Sequence, residues 1–243
     1  MQMRNLAFRG LRLPRLGAMR GGGGAVAPLP DIASAVYWGD ASDASTISAT
    51  SGKVSEWRDR NGGTNKFVQG TAASRPETGT QTINGLNALQ FTGGVVSLES
   101  PNFMSTSTHT LMFVIEAPDD DWILMAPPAG GQAILVSMSG NTFPPNTNIG
   151  SAITSVGGVN LSPDTRVGLE AATTGSVCIA MVENANMSNL SSFVLGEWTT
   201  GTGLSYRGKL GSFVAMIAPT TAEKNTVGNY LSAQWGAAWV DRA

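Results

Sequence analysis

From Ala35 to Ala218 the chain is cut into short apolar, β-branched and aromatic runs by clusters of Gly, Asn, Pro, Ser and Thr. Successive strand residues point to opposite faces, so short runs that stop at turn formers read as strands rather than helices. The predicted strands are 35–38, 53–57, 87–91, 94–100, 110–117, 132–139, 148–156, 166–170, 176–183, 191–197 and 206–218. Strands this short and numerous must cover one another's apolar faces, which predicts an all-β body of two packed antiparallel sheets. Of the 243 residues 42% are hydrophobic and 13% charged, enough to bury the core of one domain.

The end of the chain follows another period. Thr220 precedes Glu223 at the capping-box spacing, and Val227, Tyr230, Leu231 and Trp235 recur on one helical face. These residues predict a short closing helix over 221–236, with Gly236 as its C-cap and Gly228 weakening its middle by about 1 kcal/mol.

Charge divides the chain. The first 30 residues hold five of the fifteen Lys and Arg and none of the seventeen Asp and Glu, although the whole chain is formally −2. We read 1–30 as a basic, glycine-ended arm and tether and 31–243 as the body. In the arm Arg4, Arg9, Arg12, Arg15 and Arg20 alternate with Leu6, Phe8, Leu11, Leu13 and Leu16, and Pro14 interrupts any continuous helix. The body has no basic stripe to displace phosphate counterions, so nucleic acid is an unlikely partner for it. The leucine interleaving of the arm fits a groove or sheet edge on a protein, with arginines meeting carboxylates. One cysteine, Cys178, in an apolar run gives no disulfide framework and predicts a buried thiol. No apolar stretch is long enough to span a bilayer, and the N-terminal segment lacks the apolar h-region of a secretory signal.

Several stretches carry a family resemblance. AVYWGDASD (35–43), KVSEWRDRNGG (53–63), INGLNALQF (83–91), YRGKLGSFVAMI (206–217) and TTAEKNTVGNYLSAQWG (220–236) resemble the LamG-like, concanavalin A-like jelly-roll domains of phage virion proteins and bacterial surface proteins. The match covers roughly residues 35–236 and is more specific at its ends than in its middle. It implies a two-sheet antiparallel jelly-roll sandwich, Trp57 and Phe91 as inward anchors, Trp235 pinning the helix, and turns at Asn61-Gly62 and Asn84-Gly85. The chain departs from the family at Ser212, where an acidic residue is common, so no role of that acid carries over.

Glycosidase action needs two carboxylates flanking a sugar, and no such pairing is visible. Glu99, Glu116, Glu170, Glu183 and Glu197 read as strand-end or exposed acids. The single histidine, His109, reads as a turn residue and has no second imidazole with which to build a triad or metal site. Asp40 and Asp43 read as turn and cap residues accepting backbone N–H bonds. Asp119, Asp120 and Asp121 are weak calcium candidates without EF-hand spacing, and no other cofactor is called for. Trp122, Trp198 and Tyr206, beside loop signals, are the candidates for stacking on a glycan.

These readings converge on a non-enzymatic protein of a tailed-phage virion, assembled in the bacterial cytoplasm. The arm (Arg4, Phe8, Arg9, Leu11, Arg12, Leu13, Arg15, Leu16, Arg20) would dock on capsid, portal, tail or spike base, and the body would be displayed, with host polysaccharide as a further partner. The alternative is a carbohydrate-binding module or adhesin with no scaffolding role. A homo-oligomer, with a trimer favoured, is what the resemblance implies.

Overall fold

The computed structural model describes residues 28–101, 103–104, 109–117, 122–126, 134–137, 152–162, 164–188, 190, 192–197 and 205–243. The first half of the body holds β1 (Ala35–Asp40), β2 (Ile47–Thr50), β3 (Lys53–Arg58), β4 (Lys66–Val68), β5 (Glu77–Ile83), β6 (Leu86–Gln90), β7 (Leu98–Pro101) and β8 (His109–Glu116). The second half holds β9 (Trp122–Ala126), β10 (Ile134–Ser137), β11 (Ile153–Val156), β12 (Val159–Asn160), helix α1 (Arg166–Thr173), β13 (Val177–Ala185), β14 (Ser192–Leu195), β15 (Lys209–Ile217) and helix α2 (Thr221–Trp235). The body is thus mostly antiparallel β-sheet with two short helices, as the short apolar runs predict.

Hydrogen bonding links the strands in one path, β10-β9-β14-β7-β4-β3-β5-β6-β15-β8-β13-β11-β12, with β1 added on β15 and β2 on β3. The path doubles back on itself. Phe67 on β4 lies 5.8 Å from Phe213 on β15 and 5.8 Å from Phe193 on β14, though four pairing steps separate β4 from β15. Tyr37 on β1 meets Phe67 and Phe213 at 5.3 and 5.6 Å, and Phe113 on β8 stacks on Phe213 at 4.6 Å. The two arms of the path therefore share one aromatic core, in which each fully buried phenyl ring contributes about 1.5–3 kcal/mol. Trp57, Phe91 and Trp235 are all buried, as the resemblance implies.

β8 lies at the centre, between β13 and β15, and is buried from His109 to Ile115. Its continuous apolar run fits a strand buried along its whole length, with Phe113 in the aromatic core, while α2 lies against its neighbours, meeting β13 and setting Trp235 over Gly211 of β15. α2 begins at the expected capping box, where Glu223 N–H donates to Thr220 Oγ1 and Thr220 N–H donates back to Glu223 Oε2. It ends at Gly236, whose φ of 72° is the left-handed conformation a residue with a β-carbon resists. Trp235 lies over Gly211 on β15, where a β-carbon would stand 2.8 Å from the indole. Tyr230 meets Trp38 edge-on at 5.4 Å. The β5–β6 hairpin turns at Asn84-Gly85 with φ of 49° and 76°, the pattern of a two-residue hairpin loop.

Three local expectations need correction. The run 166–170 is helix, not strand: Thr165 accepts the Gly168 N–H at 3.1 Å as an N-cap, and Leu169 and Thr173, four residues apart, form the buried face. The strand expected from 94 starts at Leu98, because Gly93 and Gly94 take φ of 80° and 66° and hold the chain in a loop. His109 is no turn residue. It opens β8 fully buried, its ring hydrogen-bonded to the Ala185 backbone, and burial lowers its pKa.

Cys178 is buried on β13, where burial pushes its thiol up to about 12. The folded protein is therefore expected to resist an aromatic disulfide reagent at neutral pH, and the denatured protein to release one equivalent of chromophore; rapid native labelling would contradict this burial.

Candidate functional site

Several of the sequence candidates fall outside the described residues: the whole arm set Arg4, Phe8, Arg9, Leu11, Arg12, Leu13, Arg15, Leu16 and Arg20, the acidic run Asp119, Asp120 and Asp121, and Trp198. Trp122 belongs to β9, and its side chain is likewise outside what is described. Tyr206 is a correction. Its side chain is 0% exposed, its hydroxyl lies 2.8 Å from Lys209 O and 3.2 Å from Glu116 O, and its ring packs against Phe91. No face of that ring is open to a pyranose; the loop signal beside it marks a strand entrance whose phenol satisfies backbone carbonyls. Glu183 and Glu197, read as exposed, are also buried.

The most developed polar cluster joins β1, the loop after β3 and α2. Asp40, 0% exposed, accepts from Arg60 Nη1 at 2.7 Å and Gln234 Nε2 at 3.0 Å through Oδ2, and from Ser42 N–H and Oγ through Oδ1. Arg60 also donates to Asp43 Oδ2 at 3.1 Å and to the Tyr230 hydroxyl at 2.8 Å. Asp43 caps the short 3-10 turn that follows, accepting the Ser45 N–H. Its hydrogen bonds to Ser45 and its attraction to Arg60 hold its carboxyl below the usual range, although burial pulls the other way. Both aspartates thus accept backbone N–H groups as expected, but spacing alone gave no sign that Arg60, Tyr230 and Gln234 join them. Beside the cluster, Ser212 donates to Gly39 O at 2.8 Å and so ties β15 to β1.

A second cluster anchors the C-terminal residues. Glu183 on β13 takes Lys224 at 2.6 Å and Arg242 at 2.5 Å, and Arg242 reaches on to Gly158 O and Asn160 Oδ1. Each of these carboxylates is occupied by cations and hydrogen bonds that join two or three elements. Chemically, both clusters are clamps.

Glu197, beside Ser97, behaves differently: burial raises its pKa above 4.5. A raised folded value gives stability that is complete below the unfolded pKa and lost as pH rises through the folded one. Glu197→Gln, which cannot ionise, is therefore expected to gain stability relative to the parent between pH 4 and pH 7. Equal melting offsets at both pH values would contradict it.

A mostly apolar cleft of about 420 Å³ is lined by Thr64, Asn65, Lys66, Val68, Ser100, Pro101 and Phe103. That volume falls within the range of small ligand sites. It opens where β4 and β7 separate after a single pairing, Val68 with Glu99. Phe103 joins it to the core, stacked on Tyr37 at 5.3 Å. Asn65 Nδ2 donates to Val36 O, so the rim of the cleft touches the start of β1.

Among the described residues no group of three or more His, Cys, Asp or Glu converges as a metal site would require, and no helix is long and apolar enough to cross a membrane. No family model, no curated protein and no solved structure matches the chain. The fold defines the class: an all-β, antiparallel body closed by a capped helix.

Proposed function

We propose that this chain is a non-enzymatic virion component of a tailed phage, in which a jelly-roll body is displayed and the N-terminal arm docks it to the particle. The observation that carries the reading is the way the chain enters the body. Leu29 and Ile32 pack against the core, Ser34 N–H donates to Glu223 Oε1 at the start of α2, and Ser34 O accepts the Ile217 N–H at 2.9 Å. Whatever precedes Pro28 is thus held from a fixed point, beside the capped end of the helix. A docked arm can transmit load only through such a point. The interior supports the same reading, since the buried ion pairs of Asp40 and Glu183 fasten elements together.

The finer fold belongs to the proposal too. Strands of one path that fold over a shared aromatic core, with an antiparallel strand added at β1, fit a concanavalin A-like jelly roll, and the motifs that suggest that family lie in β1, β3, β6, β15 and α2. Homo-oligomeric assembly, with a trimer favoured, rests on the resemblance alone.

Deleting residues 1–24 tests the role of the arm. The truncated protein is expected to keep the circular dichroism and melting of the full chain and to be lost from purified particles. Normal incorporation of the truncated protein would overturn the proposal.

A further inference from the structure

The chain contains two Asn-Gly pairs, Asn61-Gly62 and Asn84-Gly85, and the fold holds them in different ways. Such a pair carries its own chemistry. The glycine backbone nitrogen, with no β-carbon beside it to hinder approach, can attack the carbonyl carbon of the asparagine side chain. A nitrogen–carbon bond forms, the side-chain nitrogen leaves as ammonia, and one water opens the resulting five-membered imide to aspartate or isoaspartate. The attack needs a side chain free to turn onto the backbone and a glycine N–H that is not firmly hydrogen-bonded.

Asn84 is held. Its Nδ2 donates to Gln234 O at 3.0 Å, and its amide lies against Gly236, where a β-carbon would stand 3.2 Å from the Asn84 Cγ. Turning this side chain onto Gly85 means giving up its bond to the end of α2. Asn61 is set differently. Both it and Gly62 are exposed, and among the described residues its side-chain amide has no partner, although its backbone N–H is fixed on Asp59 Oδ1 at 3.1 Å. A β-carbon at Gly62 would meet nothing within 4 Å, so the space around the reacting atoms is open. The Gly62 N–H reaches Asp59 O at 3.3 Å, just beyond the usual range for a backbone hydrogen bond.

We infer that Asn61-Gly62 is a site of spontaneous amide-to-acid conversion that acts on the Asp40–Arg60 clamp, while Asn84-Gly85 is protected by its contact with α2. The turn from Asp59 to Gly62 is what presents Arg60. Arg60 N–H donates to Trp38 O at 2.9 Å and Asp59 Oδ1 accepts the Trp38 N–H at 2.8 Å, which fixes the start of the turn against β1. From there the guanidinium reaches Asp40, Asp43 and Tyr230. Isoaspartate routes the main chain through the former side chain and lengthens it by one methylene, inside a turn already closed by the bonds of Asp59 to Asn61 and Gly62. Plain aspartate keeps the backbone and adds only an exposed charge. The isoaspartate product is therefore the one that loosens the clamp, and the loss of ammonia makes the change one-way.

Full-length protein incubated in warm, mildly alkaline buffer, then digested at acid pH and mapped by mass spectrometry, tests the inference. In the folded protein the mass gain of an amide-to-acid conversion is expected several-fold faster at Asn61 than at Asn84. In guanidinium chloride the two pairs are expected to convert at similar rates, because the contact with α2 is gone. Aged protein is expected to melt several degrees below fresh protein, and aged Asn61→Gln to keep its melting temperature. Asn61→Asp, which has the charge without the backbone change, is expected to melt within about 2 °C of the parent, as exposed substitutions do. Equal rates at the two pairs in the folded protein, faster conversion at Asn84, no conversion of Asn61 in the folded chain, or an equal melting loss in aged Asn61→Gln would overturn the inference. An Asn61→Asp melt as low as that of the aged protein would overturn the assignment of the effect to the backbone.

Discussion

Asp40→Ala is expected to lower the unfolding free energy by about 3–5 kcal/mol, the range for removing one partner of a buried ion pair. The carboxylate is wholly buried and Arg60 is only 9% exposed, so the substitution leaves a cation with little access to water. It also strands the Ser42 N–H and leaves the Gln234 amide with only the Ser42 hydroxyl of its two acceptors in the cluster. Asp43 and Tyr230 still hold the guanidinium, which places the effect toward the lower end of the range. At about 2–4 °C per kcal/mol for a protein of this size, the melting temperature falls by roughly 6–20 °C. The double variant Asp40→Ala/Arg60→Met is expected to recover part of the loss, because the buried cation is gone and the one carboxylate left without it, Asp43, is partly exposed and keeps its Ser45 hydrogen bonds. Thermal melts of the two variants decide it: a double variant less stable than Asp40→Ala would mean that the contacts of Arg60 with Asp43 and Tyr230 outweigh the cost of its unpaired charge.

Trp235→Ala is expected to cost about 3–5 kcal/mol, as large-to-small changes of buried tryptophan do. The indole fits over Gly211, and this contact fastens α2 to β15. The converse change, Gly211→Ala, pushes a methyl group to within 2.8 Å of the ring and is expected to cost about 1–3 kcal/mol by overpacking. The two changes should not add. With the indole gone the methyl group has room, so Gly211→Ala in the Trp235→Ala background is expected to be nearly neutral. Additive losses in urea melts would show that Gly211 matters for its backbone and not for the ring above it.

How much of this was legible in the sequence depended on whether the signal was local. The α2 helix could be read to within a residue, because Thr220, Glu223 and Gly236 act on neighbours three or four positions away. β8 and β13 were legible from buried apolar runs. The polar strand β5, ETGTQTI, was not: most of its residues face solvent, and its pairing with β6 rather than its composition makes it a strand. The segment RVGLE alternates like a strand, and only the Thr165 cap and the spacing of Leu169 and Thr173 reveal a helix. The polar clusters were legible in part. Asp40 and Asp43 advertised themselves as turn residues, whereas their link to Tyr230 and Gln234 spans more than 180 residues and exists only once α2 lies across β1. The β4–β7 cleft was invisible for the same reason, since its walls come from residues 64–68 and 100–103, which meet only in the fold.

The central claim is that this body is carried on a virus particle by its arm. Quantitative mass spectrometry of tailed-phage particles purified from cells that express the chain tests it most directly. Peptides from the body at a fixed, integral ratio to a known capsid or tail protein, unchanged by washing in high salt, are the expected result. A chain absent from intact particles, or recovered only with the envelope of the host cell, would contradict it.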